Sequence, residues 1–222
     1  MLSRILSIII GYGFGCFLMA ELIARRYTGK PAAKLGETGN PGMANIMASL
    51  GFWPGIATLL GDIVKCMLAM TLCYLLFHKA GWIVVMYAGL GCTLGHDFPY
   101  WRGFRGGKGV ATSSTVFVIY SFLWGLLANV AGMLVTFATK YLCIAGPVIP
   151  LFYALFMFIR GDVEAGILSI LFTLLALYRH APSILGILSK RTSQTDVLGA
   201  LNKKNKKPQR RRPVNRNNGR TR

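Results

Sequence analysis

Residues 110–139 read VATSSTVFVIYSFLWGLLANVAGMLVTFAT, 30 residues without a charge. A helix crosses a bilayer with about 20 apolar residues, in a range of about 17–25. This run is too long for one span. The pattern predicts two short helices broken near Tyr120-Ser121, an interruption that membrane proteins tolerate where it is buried in protein or lines a cavity.

Other apolar runs lie at about 5–24, 52–77, 80–94, 142–159 and 164–178. Orientation follows from lysine and arginine, which accumulate in loops on the cytoplasmic side. Loop 25–51 carries Arg25, Arg26, Lys30 and Lys34; loop 101–109 carries Arg102, Arg105 and Lys108; the chain after Arg179 is strongly basic. All three belong on the cytoplasmic side, with the N-terminus outside. The tail returns to that side only if 110–139 crosses twice, which places residues 160–164 outside. The expectation is therefore an all-α, polytopic membrane protein of about seven transmembrane helices, two of them short. Run Ile5–Ala24 has the length of a signal peptide, but it lacks a small-residue cleavage site and is followed by Arg25-Arg26; it reads as a retained first helix.

Composition agrees. The chain is 54% hydrophobic and 14% charged, with mean hydropathy +0.50, against about 25% charged residues in a soluble domain. Lys+Arg number 25 against 7 Asp+Glu, yet the basic residues flank apolar runs or sit in the tail, which argues against specific nucleic-acid binding. Five cysteines, Cys16, Cys66, Cys73, Cys92 and Cys143, form neither CxxC nor Cys/His clusters, so no metal site or disulfide framework is expected. Residues 1–192 read as one membrane-embedded domain. Residues 193–222 read as a basic, disordered cytoplasmic tail, serving as an orientation signal or touching anionic lipid.

Two loops carry chemistry. Loop 36–45 reads GETGNPGMAN. Gly39, Pro41 and Gly42 permit a turn that presents successive N–H groups, an anion-binding nest, and Asn40 and Asn45 add donors; an ordinary interhelical turn fits the same residues. Residues 95–112 read GHDFPYWRGFRGGKGVAT. Gly106, Gly107 and Gly109 surround Lys108 just before an expected helix, and a glycine turn feeding a helix N-terminus suits phosphate. The Walker A spacing is absent and no strand precedes it. His96 and Asp97 are acid–base candidates or a hydrogen-bonded structural pair. Asp62 and Lys65, three apart in an apolar run, read as a structural pair facing the bundle interior.

The order of these elements carries a resemblance. GNPG at 39–42 with Asn45, D-x-x-K at 62–65, GHDFPYWRGFRGGKGVAT at 95–112 and YRH at 178–180 resemble, over roughly residues 7–192, the PlsY-type acyl-phosphate:glycerol-3-phosphate acyltransferases. The resemblance implies a multi-pass enzyme of the bacterial plasma membrane. It would move an acyl chain from acyl-phosphate to the 1-position of glycerol-3-phosphate, giving lysophosphatidate and inorganic phosphate without a cofactor. With an activated donor, positioning and charge stabilisation suffice. Site residues are then expected at Thr38, His96, Lys108 and His180 for catalysis. Gly39, Asn40, Gly42, Asn45, Arg105, Gly106, Gly107, Gly109 and Ser183 are expected to bind phosphate.

The chain departs from the family pattern. Thr38 stands for the usual serine, Ala44 for a threonine and Ala48 for an arginine; Pro182, Ser183 and Gly186 stand for the acid, the amide and a second arginine. Two phosphate-directed cations are thus absent, with Arg25, Arg26 and Lys190 as candidates to replace them. A paralogue of the same fold, weakly active or inactive, that binds phosphorylated lipid precursors is the alternative. A transporter would be expected to carry an inverted repeat, and none is detectable.

Overall fold

The computed structural model describes residues 1–36 and 39–189. Thr38, Lys190 and the basic tail lie outside the described residues. Among the described residues run nine α-helices: α1 Leu2–Gly15, α2 Met19–Thr28, α3 Met43–Leu50, α4 Phe52–Phe77, α5 Val84–Asp97, α6 Val110–Tyr120, α7 Phe122–Thr139, α8 Leu142–Ile159 and α9 Val163–Leu188. Among the described residues five stretches are long and apolar enough to span: 2–28, 52–80, 122–139, 142–159 and 163–187. The shorter α5 and α6 complete a seven-element bundle. The long run breaks where the sequence analysis places it: Ser121 is extended, at φ −149° and ψ 98°. α7 is nevertheless a full-length span of 18 residues, so the second short element is α5, not α7.

The first apolar run is not one helix. It opens at Cys16–Leu18, where Leu18 takes φ −105° and ψ 105°. The carbonyls freed by the break need partners inside a membrane. Lys65 Nζ donates to Phe17 O at 2.7 Å and to Gly15 O at 3.3 Å, and Trp101 Nε1 donates to Cys16 O at 2.7 Å. Lys65 also pairs with Asp62 at 2.8 Å, both buried. The D-x-x-K pair is therefore structural, as its spacing suggests, and its cation holds the break.

α1 and α5 pack at backbone distance because each carries small residues one turn apart. A Cβ on Gly11 or Gly15 of α1 would lie 2.0 or 2.1 Å from the carbonyl oxygens of Ala88 or Cys92, and one on Gly91 or Gly95 of α5 would meet those of Ile8 or Tyr12 equally closely. This is the small-xxx-small contact of membrane helices. α8 and α9 form a second antiparallel pair, joined to α7. Phe117 of α6 stacks on Tyr153 of α8 with ring centroids 4.3 Å apart.

The two ends of the bundle differ. At one end Arg4 pairs with Glu164, Tyr87 donates to Glu164, Tyr120 donates to Asp162, and Arg160 donates to Ser121. At the other end lie α2, α3, the 98–109 loop and the last turns of α9.

Candidate active site

The 98–109 loop is anchored to the end of α5. Gly106 N–H donates to Asp97 O at 3.0 Å and Gly107 N–H to His96 O at 2.9 Å. These two amides are thus committed to the scaffold, and the nest expected at Gly106 and Gly107 is not formed by their N–H groups. Their lack of side chains has a packing reason: a Cβ on Gly107 would lie 2.0 Å from His96 Nε2. Gly109 takes φ +67° as the residue capping α6. The first N–H groups of α6 have no intrahelical partner, which leaves the anion-binding donors at the helix start rather than in the turn.

α9 fixes the turn from the other side. Arg179 donates from Nε to Gly107 O at 3.0 Å and from Nη2 to Gly106 O at 2.9 Å and Gly107 O at 2.6 Å. Its guanidinium lies 5.0 Å from the Phe98 ring centroid. One helical turn on, Ser183 Oγ accepts from Lys108 Nζ at 2.7 Å. Burial holds the Lys108 ammonium below the ordinary lysine range, and Arg179 pushes the same way. Lys108 is poised at the α6 N-terminus with a hydroxyl partner and, among the described residues, no carboxylate counter-ion bonded to it.

The two histidines differ. His96 Nδ1 lies 2.8 Å from Lys65 Nζ, so it accepts from the ammonium and its proton sits on Nε2, which faces Gly107. Its partner is Lys65, which also pairs with Asp62. His96 does not pair with Asp97, whose carboxylate is fully buried with neither oxygen hydrogen-bonded among the described residues. His180 is buried against α8, where a Cβ on Gly146 would come within 2.4 Å of Nε2.

In the first loop, Gly39 takes φ +59° and Gly42 N–H donates to Asn40 O at 2.9 Å before capping α3. Asn45 is buried and donates to Leu35 O at 3.0 Å, a bond that shapes the loop. Arg105 is exposed, as are Ala44 and Ala48 on α3. Of the replacement cations, Arg25 is engaged with Glu21 at 2.8 Å and Arg26 is exposed. Glu21 is buried in α2, accepts from Ala32 N–H at 3.0 Å, and forms an ion pair with Arg102 at 3.7 Å.

The structure thus brings Lys108, Ser183, His180 and His96 around one glycine turn, with Gly39, Asn40, Gly42 and Asn45 on a separate loop beside α2. Sequence reasoning missed Arg179 as a clamp and passed over Glu21 and Arg102. An acid inside an apolar run is a signal that marks Glu21; nothing local marks the Arg179 contacts, made across about seventy residues of chain.

The fold and site define a helical membrane protein with a half-buried lysine at a helix start, beside a clamped glycine turn at one end of the bundle. The family model described as glycerol-3-phosphate acyltransferase matches residues 5–190. Glycerol-3-phosphate acyltransferase 1 of Lactobacillus acidophilus is 36% identical over 203 residues, covering 91% of this chain and 97% of that protein. The protein of the same name from Lactobacillus johnsonii is 32% identical, covering 91% and 98%. A crystal structure of PlsY (YgiH), an integral membrane glycerol 3-phosphate acyltransferase, in its glycerol 3-phosphate form superposes with a TM-score of 0.78 at 28% identity, covering 90% of this chain and 98% of that one. The chain belongs to the glycerol-3-phosphate acyltransferase family.

Proposed function

We propose that this protein acylates glycerol-3-phosphate with acyl-phosphate as donor, at the 1-position, through a site centred on Lys108. Acyl transfer to glycerol-3-phosphate in phospholipid synthesis is the family activity, and the chain is an acyltransferase. The donor, the position and the roles of residues are our reading of the site. The observation that carries it is the Lys108 ammonium at the start of α6, bonded to Ser183 and, among the described residues, to no carboxylate.

In the reaction the 1-hydroxyl of the acceptor attacks the acyl carbonyl. The new C–O ester bond forms, the bond from the acyl carbon to the phosphate oxygen breaks, and the hydroxyl proton ends on the departing phosphate. Lys108 and the free N–H groups of α6 oppose the charge that builds on that phosphate, a preorganised electrostatic contribution. Ser183 holds Lys108 and hands it to the substrate. His96 and His180 lie behind the turn and beside Lys108, where they shape the cradle. Gly39, Asn40, Gly42 and Thr38 are assigned here to the acceptor side. Arg105 meets incoming anions from the surface.

The basic end is cytoplasmic in this reading, with the N-terminus outside, in a bacterial plasma membrane; the tail from 193 onward attracts anionic lipid, at about 1 kcal/mol per basic residue near the surface. Labelling of Arg105→Cys from outside intact cells would overturn the orientation. The activity is tested with purified protein and both substrates: lysophosphatidate and inorganic phosphate appear in equal amounts, and Lys108→Ala lowers the rate about 10²–10³-fold. A folded Lys108→Ala protein that keeps most of its rate removes Lys108 from the mechanism.

A further inference from the structure

We propose that Arg102 binds the phosphate of the acceptor, in the seam between the two glycine-rich loops. The inference rests on the acyltransferase reading, which requires two phosphate groups to be held at once, the acyl-phosphate of the donor and the phosphate monoester of the acceptor.

Five cations at this end have contacts that can be compared: Lys65, Arg179, Lys108, Arg25 and Arg102. Lys65 serves Asp62, the helix break and His96. Arg179 serves the carbonyls of the glycine turn. Lys108 stands at the α6 start with Ser183. Arg25 is bonded to Glu21. Arg102 is different. Its side chain is 13% exposed, and its nearest anion, Glu21, lies 3.7 Å from Nη1, an ion-pair distance too long for a hydrogen bond. Nη1 is buried with no hydrogen-bond partner among the described residues. A buried donor on a charged group left without an acceptor is costly, and a guanidinium presents a fork that matches a phosphate.

Its place suits the acceptor rather than the donor. The residue next to Arg102, Trp101, is tied to the α1–α2 break at Cys16 O. Glu21, opposite Arg102, holds the backbone of Ala32 in the segment leading to the first glycine-rich loop. Arg102 therefore links that segment to the 98–109 loop, while Lys108 occupies the far end of the same loop. Glu21 keeps Arg25 and the Ala32 N–H when Arg102 turns to a phosphate, so no acid is stranded by the exchange.

The test uses the full chain in detergent. Binding of glycerol-3-phosphate and of inorganic phosphate is measured by calorimetry, alongside KM for each substrate, for the wild type and for Arg102→Gln, Arg102→Lys and Glu21→Gln. Arg102→Gln is expected to weaken glycerol-3-phosphate binding about ten- to a hundredfold, the span of a charged hydrogen bond, while KM for acyl-phosphate stays within about twofold of the wild type. Arg102→Lys recovers part of the loss, and Glu21→Gln leaves acceptor affinity unchanged or tighter. Wild-type affinity in Arg102→Gln overturns the proposal, as does a rise confined to the donor KM, or an equal loss in Glu21→Gln, which would make the pair structural. If Arg102→Gln does not fold, unchanged affinity in a folded Arg102→Lys overturns it as well. A wild type that binds glycerol-3-phosphate through Arg102 but forms no product refutes the activity and leaves this assignment standing.

Discussion

Arg179 reaches Gly107 with two donors, Nε at 3.0 Å and Nη2 at 2.6 Å, both on the same carbonyl oxygen. The contact ties the last part of α9 to the glycine turn, and the same helix delivers Ser183 to Lys108. Neither loop nor helix alone sets the position of the ammonium. Arg179→Lys keeps the charge and loses the fork, so activity should fall about tenfold or more while the charge-dependent binding of phosphate persists. Rate and phosphate affinity measured together decide this; an Arg179→Lys protein with wild-type rate would show the clamp to be dispensable.

The alkaline limb of the rate profile follows from Lys108. Its folded pKa is lowered, by burial first and then by Arg179, so the ammonium loses its proton at a lower pH than an ordinary lysine. A reaction that needs the charge should therefore decline below the ordinary lysine range as pH rises. The folded state binds fewer protons than the unfolded chain between the two pKa values, so stability contributed by this group rises with pH across that window. Lys108→Arg should move the limb of any residual activity upward. A limb that stays in place assigns it to another group.

Lys65 combines two jobs that a mutation cannot separate cheaply. Lys65→Met strands Asp62 in a buried site and frees the Phe17 and Gly15 carbonyls. Breaking one partner of a buried pair costs about 3–5 kcal/mol. The variant should unfold at markedly lower temperature in detergent, and Asp62→Asn combined with Lys65→Met should recover only part, because the carbonyls stay unpaired. Full recovery in the double variant would mean that the break does not need its cap.

The α1–α5 seam has no room to give. A Cβ at Gly91 would stand 2.1 Å from Ile8 O and one at Gly11 2.0 Å from Ala88 O. Gly91→Ala should separate the helices and sharply reduce the yield of folded protein. Gly13→Ala, where nothing lies within 4 Å, should behave as the wild type. Equal stability of the two variants would contradict the close packing.

Much of this architecture was readable from residue order, and the exceptions have physical reasons. The break at Ser121 showed itself through the length of the run and the parity of the basic loops. The break at Cys16–Leu18 did not, because apolar residues continue through it and the groups that stabilise it, Lys65 and Trp101, lie far along the chain. Asp62 and Lys65 could be read as a pair from their spacing, but not as the support of another helix. The glycines around Lys108 were visible as a special turn; that Gly106 and Gly107 spend their N–H groups on α5 was not, since the alternative, a nest, uses the same residues.

The central claim is that Lys108 opposes the charge of a departing phosphate while a phosphorylated alcohol takes the acyl group. The most direct measurement is single-turnover reaction of the purified full chain with acyl-phosphate, with and without glycerol-3-phosphate, in wild type and Lys108→Ala. The account predicts one lysophosphatidate per phosphate released, release that depends on glycerol-3-phosphate, and a rate lowered about 10²–10³-fold in the variant. Phosphate released without glycerol-3-phosphate and without lysophosphatidate, or a folded wild type that binds both substrates and transfers nothing, would contradict it.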